Sequence, residues 1–271
     1  VRRYRDYVSK GLYNQGGFTM AGTHFKGPLL FSAQRPSLQN LNTSMWPDQF
    51  HYMDDFNTGA VDETNDWTII KDTGAAVAVG DSATGELTLT STATTDDDGA
   101  SIQQKLETFS TPSIVGDSLW VETRIKNSTV DQSAIIVGLT ETFTTNPEAM
   151  FSSSNVIAFL LNDGSPVILA ATEAADTPTL VTLDSTLSTI TDDTFVTLGF
   201  KFTKGTTTDR VEFYINRKYA GVSTTNIPAS TVLLKLGVAS ISGDATGTRV
   251  TTLDYIMGAQ DRNVTYTESP A

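Results

Sequence analysis

From Asp54 onward the chain is written in short apolar runs separated by polar, Gly- and Asp-rich punctuation. In GELTLTST, Leu87 and Leu89 point one way and Thr88 and Thr90 the other. In SLWVETRI, Leu119, Val121 and Ile125 share a face, and Trp120, Glu122 and Arg124 share the opposite one; in RVEFYIN, Val211, Phe213 and Ile215 align. Successive side chains of a strand point to opposite faces, so this period of two, with one dry and one wet face, predicts half-buried antiparallel strands. The same texture marks SAIIVGLTE, NVIAFLLND, PVILAAT, FVTLGFKFTKG, VLLKLGVAS and RVTTLDYIMGA, with turns at DDDG, NDGS, KGTTTD and SGDATG. DRVEFYINRKYAGVS reads as a strand, a tight turn at Asn216-Arg217 and a second short strand. No segment carries a convincing amphipathic helix; LDSTLSTITDDTF has some of the spacing, but its Ser and Thr content favours strand and loop. No repeat of fixed period appears, which counts against a propeller. About ten or more short strands at this spacing predict an all-β, two-sheet antiparallel jelly-roll sandwich.

Residues 1–53 break the pattern. They show no sustained period and are interrupted by Gly16-Gly17, Gly22, Gly27-Pro28, Pro36 and Pro47. They hold six bases against two acids, a net +4, whereas the chain as a whole carries −13, so the other 218 residues carry −17. They also hold nine of the 24 aromatic residues. A segment this irregular does not fold alone, and one this aromatic gains free energy by burial against something. It reads as an extended N-terminal arm, followed by the sandwich over 54–262 and a C-terminal tail over 263–271. Two placements stay open: docking on an acidic partner surface, or packing on the outer sheet of its own domain. In the first, Arg2, Arg3, Tyr4, Arg5, Tyr7, Phe18, Phe25, Phe31 and Trp46 are the expected partner contacts.

Charge and composition narrow the function classes. A net charge of −13 argues against coating DNA or RNA, which needs a concentrated basic surface. No apolar run approaches the ~20 residues that span a bilayer, so no membrane role is expected. The chain has no cysteine, which excludes disulfide and thiolate chemistry and favours assembly in a reducing cytoplasm. Its two histidines, His24 and His51, lie 27 residues apart and make neither a transition-metal site nor an evident nucleophile–base pair. Asp96, Asp97 and Asp98 could offer oxygens to calcium, but Asp-Gly is the commonest hairpin signature and the spaced calcium loop is missing, so a turn is the preferred reading. No cofactor is expected.

The segments HYMDDFN, LWVETRIKNSTVDQSAIIVGLTET, VEFYINRKYAG and TTLDYIMGAQ resemble the concanavalin A-like, laminin-G-like jelly-roll family over about residues 50–262, in versions carried by virion structural proteins of tailed phages. The hairpin departs from the family's Asn-Gly, with Asn216-Arg217 in its place, so a longer or strained turn is expected. The resemblance implies a non-enzymatic capsid decoration or cement protein, assembled in the host cytoplasm and placed on the capsid surface. Its partners would be the major capsid protein, other virion proteins and further copies of itself. Two other roles known for this fold are open. A lectin-like adhesion module would bind a surface glycan through exposed aromatics, for which Trp67 and Trp120 are the candidates. The other outlet for Trp120 is packing under the arm or a neighbouring subunit. A glycoside hydrolase of this fold carries paired carboxylates as E-x-D-x-x-E; neither Glu122 nor Glu212 has a carboxylate two or three residues on, so no catalytic residue is expected.

Overall fold

The computed structural model describes residues 49–57, 59–80, 85–92, 94–143 and 146–261. The described residues form fifteen strands: β1 Gln49–Asp54, β2 Trp67–Lys71, β3 Ala76–Gly80, β4 Glu86–Thr90, β5 Gly99–Gln104, β6 Ser118–Asn127, β7 Ser133–Thr140, β8 Val156–Leu161, β9 Ile168–Ala174, β10 Thr177–Val181, β11 Val196–Thr203, β12 Arg210–Ile215, β13 Lys218–Ser223, β14 Lys235–Ser242 and β15 Val250–Asp261. They make two antiparallel sheets. The first has eight strands in the order β13-β12-β11-β6-β15-β4-β3, with β1 added on β15. The second has seven, in the order β10-β9-β8-β7-β14-β5-β2. β15 is long enough to hold three partners: β6 along its length, β4 on its first half (Val250–Leu253) and β1 on its second (Ile256–Asp261).

The period-two pattern places the core. Leu119, Val121 and Ile125 of β6, Leu198, Phe200 and Phe202 of β11, and Val211, Phe213 and Ile215 of β12 are all buried and face the second sheet. Phe213 meets Phe159 of the opposite sheet edge-to-face at 5.4 Å and lies 6.1 Å from Phe200. All nine apolar runs singled out in the sequence are strands, as is the short run after the Asn216-Arg217 turn.

Four departures have physical reasons. First, β1 starts at Gln49, inside the segment expected to be arm, so the arm boundary at residue 53 is too late by five residues. Phe50 packs edge-to-face on Phe109 at 5.4 Å and Tyr52 on Trp67 at 5.7 Å, so these aromatics belong to the sandwich. Second, β5 (GASIQQ) has every residue buried because β2 and β14 flank it and both its faces are covered, so no alternation survives to be read. Third, LDSTLSTITDDTF holds one helical turn, α1, at Ser185–Ser188. Its cause is a cap: the Asp184 carboxylate accepts from the Thr186 N–H at 2.9 Å. Fourth, the hairpin turn is not lengthened. Ile215 pairs with Lys218, leaving a two-residue turn with Asn216 at φ 50° and Arg217 at φ 63°. Both residues are left-handed, the type I′ geometry that suits the strand twist and ordinarily selects glycine second.

Candidate functional site

The outer face of the eight-stranded sheet gathers the polar residues that β6 directs away from the core. Rows across the sheet follow from the pairing register. One row runs Met53, Met257, Glu122, Gly199 and Tyr214; the next runs His51, Ala259, Trp120, Lys201 and Glu212. Tyr219 stands opposite Tyr214 on the neighbouring strand, ring centroids 6.1 Å apart and edge-on.

Glu122 is the centre of this face. It is fully buried, and one carboxylate oxygen, Oε1, accepts the Tyr255 hydroxyl at 2.6 Å and Arg217 Nη2 at 3.0 Å. Its other oxygen, Oε2, is buried with no hydrogen-bond partner. Burial of a carboxylate is costly unless it is paired and hydrogen-bonded, and Arg217 and Tyr255 are the partners that Glu122 has. The reciprocal effects are visible: burial, then the bond to Glu122, pushes the Tyr255 hydroxyl up to about 12, and the bond to Glu122 raises Arg217 further above its usual range. Arg217 reaches Glu122 from the left-handed second position of the hairpin turn. A non-glycine residue there costs roughly 1–2 kcal/mol, and strain of this kind collects where a side chain is needed at one spot.

Basic side chains surround this centre. Arg124 pairs with Asp254 at 2.5 Å and lies 4.1 Å over the Phe195 ring, with Lys126 at 4.6 Å from the same ring. Lys201 lies 5.3 Å over the Trp120 ring. Two strands away, Tyr214 donates to Glu212 at 3.2 Å. Its hydroxyl is also pushed up to about 12, by burial first and the Glu212 charge second.

The residues expected from sequence are distributed unevenly. Trp120 is on the outer face, as alternation requires, but is only 5% exposed and packs with Ala259. Trp67 is wholly buried, its Nε1 donating to Asp54 at 2.7 Å, so its ring belongs to the core and offers no stacking face. Arg2, Arg3, Tyr4, Arg5, Tyr7, Phe18, Phe25, Phe31 and Trp46 lie outside the described residues. Asp96–Asp98 form a turn in which Asp97 has φ 63° and donates its N–H to Ser242 O at 2.9 Å, the geometry expected of a turn. Among the described residues no group of three or more His, Cys, Asp or Glu is arranged to hold a metal. After Glu122, the next two outer-face positions of β6 are Arg124 and Lys126, so this strand does not supply the second carboxylate that glycoside hydrolysis needs. Arg217, Tyr255, Tyr214 and Tyr219 were not anticipated as site residues; the one sequence signal was Arg217 standing where a hairpin prefers glycine.

Solved structures share this architecture. An endo-1,3-β-glucanase from Streptomyces sioyaensis matches with a TM-score of 0.55 at 13% identity, covering 80% of this chain and 98% of that one. The carbohydrate recognition domain of Emp47p matches with a TM-score of 0.51 at 11% identity, covering 79% and 95%. An endo-β-1,4-glucuronan lyase from the fungus Trichoderma reesei matches with a TM-score of 0.52 at 11% identity, covering 76% and 94%. The fold is the concanavalin A-like jelly roll. At these identities the likeness is one of fold, and the concanavalin A-like sandwich serves enzymes and lectin domains alike. None of these three neighbours is a virion protein. No family model and no curated protein matches the sequence significantly.

A separate open cavity of about 390 Å³ lies at one end of the concanavalin A-like sandwich, lined by Phe50, Ser110, Asp117, Gln260 and Asp261 among others. Asp261 is fully engaged, accepting from Gln49 Nε2 and the Ser118 N–H, each at 2.8 Å. Burial, and then the Asp261 charge, raises Asp117 above the usual carboxylate range. The folded chain therefore holds the Asp117 proton more tightly than the unfolded chain, and stability is lost as pH rises through the raised value. Asp117→Asn removes that loss. Thermal melts are expected to show the variant more stable than the parent at neutral pH, with the difference vanishing below about pH 3, under the ordinary carboxylate range.

Proposed function

We propose that this protein binds glycans, as a lectin-like module, through the outer face of its eight-stranded sheet. The observation that carries the reading is the Glu122 centre: a buried carboxylate on a central strand holds a tyrosine hydroxyl and a strained arginine, and keeps one oxygen unpartnered. Around it stand amphipathic rings, Tyr214 and Tyr219, with Tyr219 54% exposed. Sugar recognition uses this combination, in which a ring covers the apolar face of a pyranose and charged groups and hydroxyls meet its hydroxyls. Binding and cleavage of carbohydrate by the neighbours' fold supports the same reading. A glycan array probed with the full chain is expected to give saturable binding. Tyr219→Ala is expected to weaken it about fivefold, as a stacking contact of about 1 kcal/mol predicts, without lowering the melting temperature. An array with no bound glycan would overturn the reading.

Attachment is a second proposal, supported by the charge contrast in the sequence. A basic, aromatic segment preceding an acidic domain fits docking onto an acidic surface, where aromatic and arginine anchors supply most of the interface energy. On a phage capsid or tail this chain would then be a decoration or adhesion module, associating with virion proteins and with its own copies. Co-sedimentation of the full chain with capsids tests it: saturable binding is the expected result, and a protein left wholly in the supernatant contradicts it.

A further inference from the structure

We infer that the glycan taken by this face is anionic, a polymer bearing carboxylate or sulfate groups. The inference rests on the glycan-binding reading above and names its ligand class. Residues 54–261 carry only eleven bases against 28 acids. Five of those bases, Arg124, Lys126, Lys201, Arg210 and Arg217, stand on or over the outer face of β6, β11 and β12. Chance scatter over an acidic domain does not gather them on one face of one sheet.

Two of the arginines are also presented for use. The side chains of Arg124 and Arg210 are 40% and 53% exposed, and each leans on a carboxylate: Asp254 and Glu212 respectively. A guanidinium has five donors in a planar fork, so an acid on one edge fixes its orientation without using all of its donors. Held forks of this kind suit a carboxylate or sulfate, which accept two parallel N–H bonds. Asp254, Glu212 and Glu122 offset three of the five bases, which leaves the patch at five minus three, or +2, on an otherwise acidic domain; charges more than about 10 Å away are largely screened at 0.1 M salt. Tyr255 and Tyr214 commit their single O–H to Glu122 and Glu212 and, held protonated, add no repelling charge.

The test titrates the full chain with three probes: polygalacturonate, heparin and a neutral β-1,3-glucan. The expected result is binding to one or both polyanions, weaker at high salt, and at least about tenfold weaker binding to the neutral glucan. Heparin against polygalacturonate separates sulfate from carboxylate recognition. Arg124→Gln with Arg217→Gln is expected to weaken polyanion binding about tenfold. Arg210→Gln, which touches no buried group, is expected to weaken it about threefold and serves if the double variant fails to fold. Arg2, Arg3 and Arg5→Gln is expected to change it by less than about twofold. Equal or stronger binding of the neutral glucan would overturn the inference and leave the glycan-binding reading standing. Polyanion binding that is lost only with the arm variant would also overturn it. Binding to none of the probes would overturn the inference, and with an empty glycan array the reading beneath it.

Discussion

A chain beginning at Gln49 is expected to fold with nearly the stability of the full chain, and a chain beginning at Asp55 is expected to lose a large part of it. The difference is six residues, but they are β1, which pairs with β15 from Gln49–Asp261 to Asp54–Ile256. Removing β1 strips Phe50 from Phe109 and Tyr52 from Trp67. It also leaves the wholly buried Trp67 Nε1 without Asp54 as acceptor. An unsatisfied buried donor costs about 1–3 kcal/mol, and each aromatic contact adds about 0.5–1.5 kcal/mol beyond its buried area. A total near 5 kcal/mol is a large part of the roughly 5–15 kcal/mol that holds a domain folded. Melting by circular dichroism is expected to place the longer fragment within a few degrees of the full chain and the shorter one about 10–20 °C lower. Equal melting of the two fragments would mean that β1 adds nothing to the sandwich.

The second large effect belongs to Glu122 and Arg217, and its sign depends on whether one or both are changed. Arg217→Gly relieves a left-handed arginine and restores the preferred Asn-Gly turn, a gain of about 1–2 kcal/mol. It also strands a fully buried carboxylate, and removing one partner of a buried pair costs about 3–5 kcal/mol. Part of that cost is discounted because the Arg217 side chain is 44% exposed. The net expected loss is about 1–3 kcal/mol. Adding Glu122→Gln removes the stranded charge while keeping an acceptor for Tyr255, so the double variant is expected to recover the parent's stability or exceed it. Urea denaturation of the four members of this cycle measures the coupling. Glycan binding is expected to fall about threefold to fivefold in both single variants and not to recover in the double one. Recovery of binding together with stability would assign the pair a purely structural role.

The sequence-level pattern reached the core more easily than the site, for a physical reason. Core strands bury one face, and a buried face leaves a period of two that Leu119, Val121 and Ile125 display plainly. Where both faces are covered, as in β5, or where an apolar residue stands on the outer face, as the exposed Met53 does in β1, the period fades in the sequence. The site is built differently. Glu122 and Arg217 are 95 residues apart and Glu122 and Tyr255 are 133 apart, and only the order β12-β11-β6-β15 brings them together. Strand alternation could place Glu122 and Trp120 on one face, but not say which other strands share it. The same limit made Trp67 look available: its flanking Asp66 and Thr68 are polar, while the ring itself is enclosed by Tyr52 and Phe56. Arg217 was the one legible clue, because a residue that resists its own backbone conformation asks for a compensating contact.

The central claim is that ligand meets the outer face of β6, β11, β12 and β15. Backbone and side-chain chemical-shift mapping, with the glycan that binds most strongly added to labelled full-length protein, tests it most directly. The expected result is a contiguous set of shifts at Arg124, Arg217, Tyr214, Tyr219 and Tyr255, weakened in Arg217→Gly. Shifts confined instead to Ser110, Asp117 and Gln260 would place binding in the cavity at the end of the sandwich and contradict the assignment of the Glu122 face.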